Sequence, residues 1–360
     1  MPYTLAAAAA ALLLTAVLTG LLRALALRWG RTCAGLLDRP AGHKAHTRPI
    51  PHLGGVAVVV GTLGAVFSGS WTGQGFLGRE VGTLLMAGAA VAVLGLVDDV
   101  RPLGPRARLV VETGAAGTVA YGSGLGLVTG ALAVLWIVFV TNAFNLLDNS
   151  DGAMGTVAAL TALGLAICAI TEGRTGLALL LCVLAAALTG FLLHNWHPAR
   201  IFLGDCGSLF TGFVLSSAAV LLHTGHTPAR TTGALLAFTL VVTADTALVL
   251  VSRHRQGRPL LLGGTDHIAH RLRRLGLTVP GTAVVLGVIA LVGTLLGLLI
   301  HHAWLPPSAV LPVAGAAVLA CGSMLRVPVY GSGRVGRPTR RDRRIVDTPQ
   351  AARAIDAARG

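Results

Sequence analysis

Apolar residues run along this chain in long unbroken blocks, with polar residues gathered in short stretches between them. About eleven blocks stand out, at roughly 4–27, 54–69, 81–97, 107–121, 126–142, 153–171, 175–194, 207–222, 232–252, 279–300 and 307–326. Most are long enough to cross a hydrocarbon layer of about 30 Å as helices. Several are short or rich in glycine, which suits helices whose backbones approach closely. The pattern predicts an all-α, polytopic membrane protein of about eleven transmembrane helices, with its termini on opposite sides. The first block has no basic segment before it and is longer than the apolar core of a signal peptide, so it reads as a first transmembrane helix.

Composition strengthens this reading. Charged residues make up only 12% of the 360, against roughly 25% in soluble domains. A soluble fold would need a core helix at almost every position. The five cysteines (Cys33, Cys168, Cys182, Cys206 and Cys321) are scattered and form no CxxC pair, so neither a zinc motif nor a disulfide framework is indicated.

The formal net charge of +14 raises nucleic acid as a partner, but its distribution removes it. Basic residues crowd the odd-numbered loops: Arg28, Arg31, Arg39, Lys44 and Arg48 in the first, Arg101, Arg106 and Arg108 in the third, Arg253 to Arg274 in the ninth. The even-numbered loops offer Arg79, Arg174 and Arg230. By the positive-inside rule the odd loops and the C-terminus are cytoplasmic and the N-terminus faces out. The expected organisation is one transmembrane catalytic domain over 1–326 and a basic, flexible cytoplasmic tail over 327–360. No internal repeat is visible.

The acidic residues follow the same side. Asp38, Asp98, Asp99, Asp148, Asp151, Asp205 and Asp266 fall at expected cytoplasmic loops or span ends, and Glu80 and Glu172 on the other side. Asp245 and Glu112 lie within spans, where a carboxylate is costly and marks function or pairing. Five polar segments therefore converge on one face: "LLDRPAGHKAHTRPIPHLGG", "GLVDDVRPLGPRARL", "TNAFNLLDNSDGAMG", "HNWHPARIFLGDCGSLFTG" and "GGTDHIAHRLRRLG". Clustered Asp and Asn oxygens suit a hard divalent cation such as Mg²⁺, which also binds substrate phosphates. Lys44, Arg271 and the neighbouring histidines suit phosphate oxygens. The Gly207-Ser208 turn reads as the opening of a helix whose free N–H groups favour an anion. Cations neutralising a transferring phosphoryl group are the usual physics of phosphoryl transfer. At a membrane boundary this implies one soluble and one lipid partner.

Together, from about Leu36 to Gly276, these segments resemble the polyprenyl-phosphate N-acetylhexosamine-1-phosphate transferase family, glycosyltransferase family 4. The resemblance implies transfer of a sugar 1-phosphate, in the bacterial GlcNAc-type branch GlcNAc-1-phosphate, from a UDP-amino sugar to a polyprenyl phosphate, with release of UMP. It implies a multi-pass enzyme of the bacterial plasma membrane, working in cell-envelope glycan synthesis with Mg²⁺, or Mn²⁺ as a substitute. Asp98 and Asp99 match the acidic pair that positions or deprotonates the lipid phosphate. Asn145 and Asp205 match the metal ligands. Asp148 and Asp151 match the Asp-Gly motif at the nucleotide end, with Asp151 toward uracil and Asn142 beside them on the substrate side. Lys44 matches the first-loop lysine. His267, His270 and Arg271 match the histidine loop near the diphosphate, and Arg200 the sugar side.

The chain departs from the family pattern in "DNSDGAM", where Asn149 and Ser150 replace a glycine and an apolar residue. It lacks a third acid after Asp98-Asp99, has His43 and Arg108 in place of arginine and lysine, and carries a histidine-poor "DHIAHRL". These departures bear on the sugar more than on the chemistry. The runner-up is the phospho-MurNAc-pentapeptide transferase branch, disfavoured because the ninth loop lacks three consecutive histidines. A transporter would place its carboxylates near the midplane and show repeats. A non-catalytic member acting in binding or resistance would not need Asp98, Asp99, Asn145 and Asp205 intact. No motif specifies a homodimer, which stays open.

Overall fold

The structure is a computed structural model, and residues 2–29, 37–38, 49–71, 78–259 and 264–329 are described. The chain divides into two units, Met1–Val327 and Pro328–Gly360. Every element below belongs to the first. The expected tail beyond residue 329 lies outside the described residues, as does the first loop around Lys44.

Each expected apolar block is helical: α1 (Pro2–Trp29), α2 (Gly54–Trp71), α3 (Gly78–Val100), α4 (Pro105–Gly122), α5 (Leu127–Leu147), α6 (Ala153–Thr171), α7 (Thr175–Asn195), α8 (Gly204–Leu222), α9 (Pro228–Phe238) with α10 (Leu240–Arg255), α12 (Val279–His301) and α13 (Val310–Met324), with the short α11 (Ile268–Arg274) before α12. A two-residue ladder pairs Leu37–Asp38 with Ile50–Pro51. Eight helical segments among the described residues are long and apolar enough to cross a membrane, and the bent α9–α10 pair makes a ninth. Of the remaining two blocks, the apolar part of α2 is short, Gly54–Ser68, and α4 carries Arg106, Arg108 and Glu112 in its first half.

The ninth block is not one straight span. It breaks at Thr239 and bends by 77°. No Pro or Gly sits at the break. Hydroxyls take up the carbonyls there: Thr239 Oγ1 donates to Leu235 O at 2.7 Å, Thr243 Oγ1 to Thr239 O at 2.8 Å, and Thr161 Oγ1 to Phe238 O at 3.4 Å. Such side-chain bonds satisfy backbone groups that lipid cannot.

Helix α8 is the hub. Its residues are buried almost throughout, with α2, α3, α5 and α6 packed around it. Conversely, α5 turns Leu127, Val128, Leu132 and Leu135 outward, as a lipid-facing stripe would be. Glycines let neighbours reach the start of α8 backbone to backbone. A Cβ on Gly95 of α3 would run into the Asp205–Cys206 peptide, and one on Gly207 would stand 2.5 Å from Gly55 Cα of α2. The segment before α8 pairs with the start of α2: Gly54 N donates to Phe202 O at 2.9 Å, Gly55 N to Leu203 O at 2.7 Å, and Phe202 N to Pro51 O at 2.7 Å.

Candidate active site

Successive residues of a helix point about 100° apart, so the two carboxylates that end α3 face different neighbours. Asp99 turns to α8 and accepts the N–H groups of Asp205 at 2.9 Å and Cys206 at 3.0 Å, one on each oxygen. This corrects the expectation for this helix. Gly207 and Ser208 lie inside α8, which begins at Gly204, and its first free N–H groups are held by the protein's own carboxylate. Gly204 makes the entry at φ +73°, where a Cβ would strike His52 O.

Asp98 turns to the next loop and to α4. It accepts the Leu103 N–H and pairs with Arg108 Nη1 at 2.8 Å. The same Nη1 reaches Asp205 Oδ2 at 3.0 Å, and Nη2 donates to Asn145 Oδ1 at 3.2 Å. Asn145 Nδ2 donates to Asp205 Oδ1 at 2.8 Å and to Ser208 Oγ at 2.9 Å. Three residues singled out in the sequence, Asp98, Asn145 and Asp205, thus converge from α3, α5 and α8 on one guanidinium. The sequence reads Arg108 as a third-loop cation and a departure from lysine, and its position one turn into an unusually polar helix is the signal that marks it further. Ser208, expected in a turn that opens a helix, instead meets Asn145, 63 positions away.

Asp148 follows as the C-cap of α5. Burial first, and then the negative charge at Asp205, Asp99 and Asp151, pushes its carboxyl up to about 7. Asp151 engages the other side of the site. Its Oδ2 faces His197 Nδ1 at 2.7 Å and accepts the Ala199 N–H at 3.1 Å. Between the two acids, Gly152 has φ +71° and donates to Asn195 Oδ1 at 3.0 Å, which fixes the turn into α6. Asn149 Oδ1 and Ser150 Oγ are buried in this turn without a hydrogen-bond partner among the described residues. Asn142, one turn before Asn145, donates to Glu112 and so joins α5 to α4. The intramembrane Glu112 is accordingly in a helix–helix hydrogen bond. Arg200 is exposed, and its backbone N–H donates to His194 O at 2.9 Å.

The histidine loop forms a separate cluster. His267 Nδ1 faces Asp245 Oδ2 at 2.8 Å, and Ile268 N donates to Asp245 Oδ1 at 2.7 Å. Arg253 grips Asp266 with two bonds, at 2.9 and 3.2 Å. Burial alone would raise the Asp266 carboxyl, but the bonds and charge of Arg253 hold it below the usual range. Arg271 is buried and spends its guanidinium on Asp266 O, Met324 O, Val327 O and Ser252 Oγ. His270 packs against His267, and desolvation lowers it to about 4. Expected substrate contacts of Arg271 are therefore occupied by its own chain, while His270 is the half-buried member of the group.

The first cluster fits a hard divalent cation. Its donors are all carboxylate or carboxamide oxygens. Already they hold one cationic group in common. Two carboxylates, Asp98 and Asp205, meet the Arg108 guanidinium, while Asp99 and Asp148 stand close enough that burial first and their neighbours' negative charge second raise the Asp148 carboxyl.

The chain is similar to known proteins. The sequence profile described as glycosyl transferase family 4 matches residues 81–223, from the start of α3 to the end of α8, which encloses the whole first cluster. A Streptomyces coelicolor protein that carries a glycosyltransferase name is 51% identical over 92% of this chain and 78% of its own length. A Bacillus subtilis protein named as an undecaprenyl-phosphate N-acetylglucosaminyl 1-phosphate transferase is 28% identical over 82% of this chain and 84% of its own. The decaprenyl-phosphate N-acetylglucosaminephosphotransferase of Mycobacterium tuberculosis is 32% identical over 74% of each. With the oxygen cluster at the head of α8 inside the matched region and relatives aligned along most of its length, the chain belongs to glycosyl transferase family 4.

Proposed function

We propose that the protein transfers N-acetylhexosamine 1-phosphate, as GlcNAc-1-phosphate, from a UDP-sugar to a polyprenyl phosphate and releases UMP. The observation that carries this reading is the meeting of Asp98, Asn145 and Asp205 on Arg108 at the ends of apolar helices. The names of the Bacillus and Mycobacterium relatives supply the acceptor class and the sugar. The basic loops set this end toward the cytoplasm of a bacterial plasma membrane, where a nucleotide sugar and a lipid phosphate can both reach it.

In the reaction, an oxygen of the lipid phosphate attacks the sugar-bearing β-phosphorus, and the bond from that phosphorus to the oxygen of UMP breaks. Asp205, Asn145 and Asp98 would hold Mg²⁺, which would supply charge neutralisation for the diphosphate and the departing UMP. Arg108 stands among the same oxygens and can pass its guanidinium to a phosphate. Asp99 holds the start of α8 in place through the Asp205 and Cys206 amides. Both oxygens of Asp98 and of Asp99 are already hydrogen-bonded, which favours direct attack over an aspartyl-phosphate intermediate. Asp148 and Asp151 flank the turn expected to receive the nucleotide. The test is purified protein with Mg²⁺, polyprenyl phosphate and a panel of UDP-sugars, scoring UMP. UMP release with UDP-GlcNAc that needs both lipid and Mg²⁺ is expected. No UMP from any donor would defeat the proposal.

A further inference from the structure

Helix α8 runs from the carboxylates at Asp205 to His223, about 27 Å at 1.5 Å per residue. At that far end stands a second group of chemistry-bearing side chains that the transfer reaction does not use. His223 caps α8, His226 lies in the following turn, and His301 ends α12. One ligand atom from each lies within 4.8 Å of the others. Glu172, at the end of α6, joins them: its Oε1 is 3.4 Å from His226 Nε2 and 3.3 Å from His301 Nε2.

The pairing of the ring nitrogens decides what this group is for. Each imidazole has one nitrogen aimed at an acceptor. His223 Nδ1 faces Ala219 O at 2.7 Å. The Nε2 atoms of His226 and His301 face Glu172. A nitrogen that donates to a carbonyl or carboxylate leaves the other as a lone pair, and this orientation is how metal-ligating histidines are usually held. The lone pairs are then on His223 Nε2, His226 Nδ1 and His301 Nδ1. His226 Nδ1 is buried with no hydrogen-bond partner among the described residues. His223 Nε2 and His301 Nδ1 stand 3.4 Å apart. Two lone pairs at that distance repel unless a cation lies between them. A tetrahedral ion with bonds of about 2.0–2.1 Å has ligand–ligand edges of about 3.3 Å.

We propose that His223, His226 and His301 bind a divalent transition metal of the zinc class, with Glu172 orienting two of the rings and a fourth position open to water. Three imidazoles suit a borderline metal, whereas the all-oxygen cluster at the other end suits Mg²⁺. The ion fastens the end of α12 and the α8–α9 turn to α8, with α6 tied in through Glu172.

The test uses the full-length protein in detergent, bearing no histidine tag and stripped with chelator. Titration with ZnCl₂ is followed by calorimetry, and Co²⁺ by its visible absorption. Saturable binding of one Zn²⁺ per chain is expected, with a tetrahedral-type Co²⁺ spectrum and a raised thermal midpoint. His226→Asn, in the turn and outside the packed helices, should abolish the Co²⁺ spectrum. Glu172→Gln should weaken binding about 10- to 100-fold. His302→Asn and Asp205→Asn should leave it unchanged. If the wild-type protein takes up no Zn²⁺ or Co²⁺, or if His226→Asn binds as wild type does, the site does not exist. Loss of the signal in Asp205→Asn would move the ion to the carboxylate end and equally overturn it.

Discussion

Two groups of aspartates stand out in this protein, one at the ends of α3 and α5 and the start of α8, the other within and after α10, and they differ in the partners they find. Asp245 and Asp266 are fully buried, and each has its own partner, His267 for one and Arg253 for the other. Of Asp98, Asp99, Asp148 and Asp205, Asp98 and Asp205 share the Arg108 guanidinium, and Asp99 is answered by two backbone amides. Matched charge buried in a fold holds the fold. Unmatched charge at a water-accessible end is a place for a cation from solution. The same residue type therefore does two jobs, and the count of local cations separates them.

The sharpest way to break this contrast is Asp205→Asn. Turnover measured as UMP release should fall by about a thousandfold, while the thermal midpoint in detergent stays or rises because repulsion is relieved. Full activity would remove Asp205 from the reaction. The mirror experiment is Asp266→Asn, which leaves Arg253 buried against a neutral group. It should destabilise by about 3–5 kcal/mol, read as a lowered thermal midpoint. An unchanged midpoint would erase the distinction between the groups.

A smaller effect sharpens the contrast through protons. Asp148 has its carboxyl raised from 3.8 to about 7, so the folded state keeps a proton that the unfolded chain has released. Its contribution to stability is complete below the ordinary carboxylate range and is lost as pH rises through about 7. Stability without metal should thus fall between about pH 4 and about 7, and Asp148→Asn should flatten that slope. If Mg²⁺ binds at Asp205, its charge should offset the negative charge that helps keep Asp148 protonated, so calorimetry near neutrality in two buffers of different ionisation heat should register proton release on binding. Least of all is expected from Asn149→Gly with Ser150→Leu. Two partnerless polar atoms disappear, stability changes by about 1 kcal/mol, and preference across the UDP-sugar panel shifts a few-fold. No shift would mark the pair as inert.

Much of this was legible along the chain. Apolar blocks located the helices, because a bilayer demands length and hydropathy that leave a plain mark. The Asp-Asp pair, Asn145 and Asp205 stood out against greasy surroundings. Other features left no local mark. Thr239 breaks the ninth block without Pro or Gly, and an average over hydropathy cannot see a bend. Asp99 caps a helix from another helix, so the true start of α8 was hidden. Arg271 has the composition of a phosphate ligand and the environment of an internal strut. The histidine trio joins residues 78 positions apart, a proximity only the packed bundle creates.

The glycine contacts at the head of α8 carry a mechanical consequence. With Gly95 and Gly55 seating their backbones directly against Asp205–Gly207, α2, α3 and α8 have no compressible side-chain layer between them at this end. They behave as a fixed anvil. Whatever opening admits a lipid substrate must be hinged elsewhere, for instance in α4, whose Arg108 is the one named member of the cluster on a long, flexible stem.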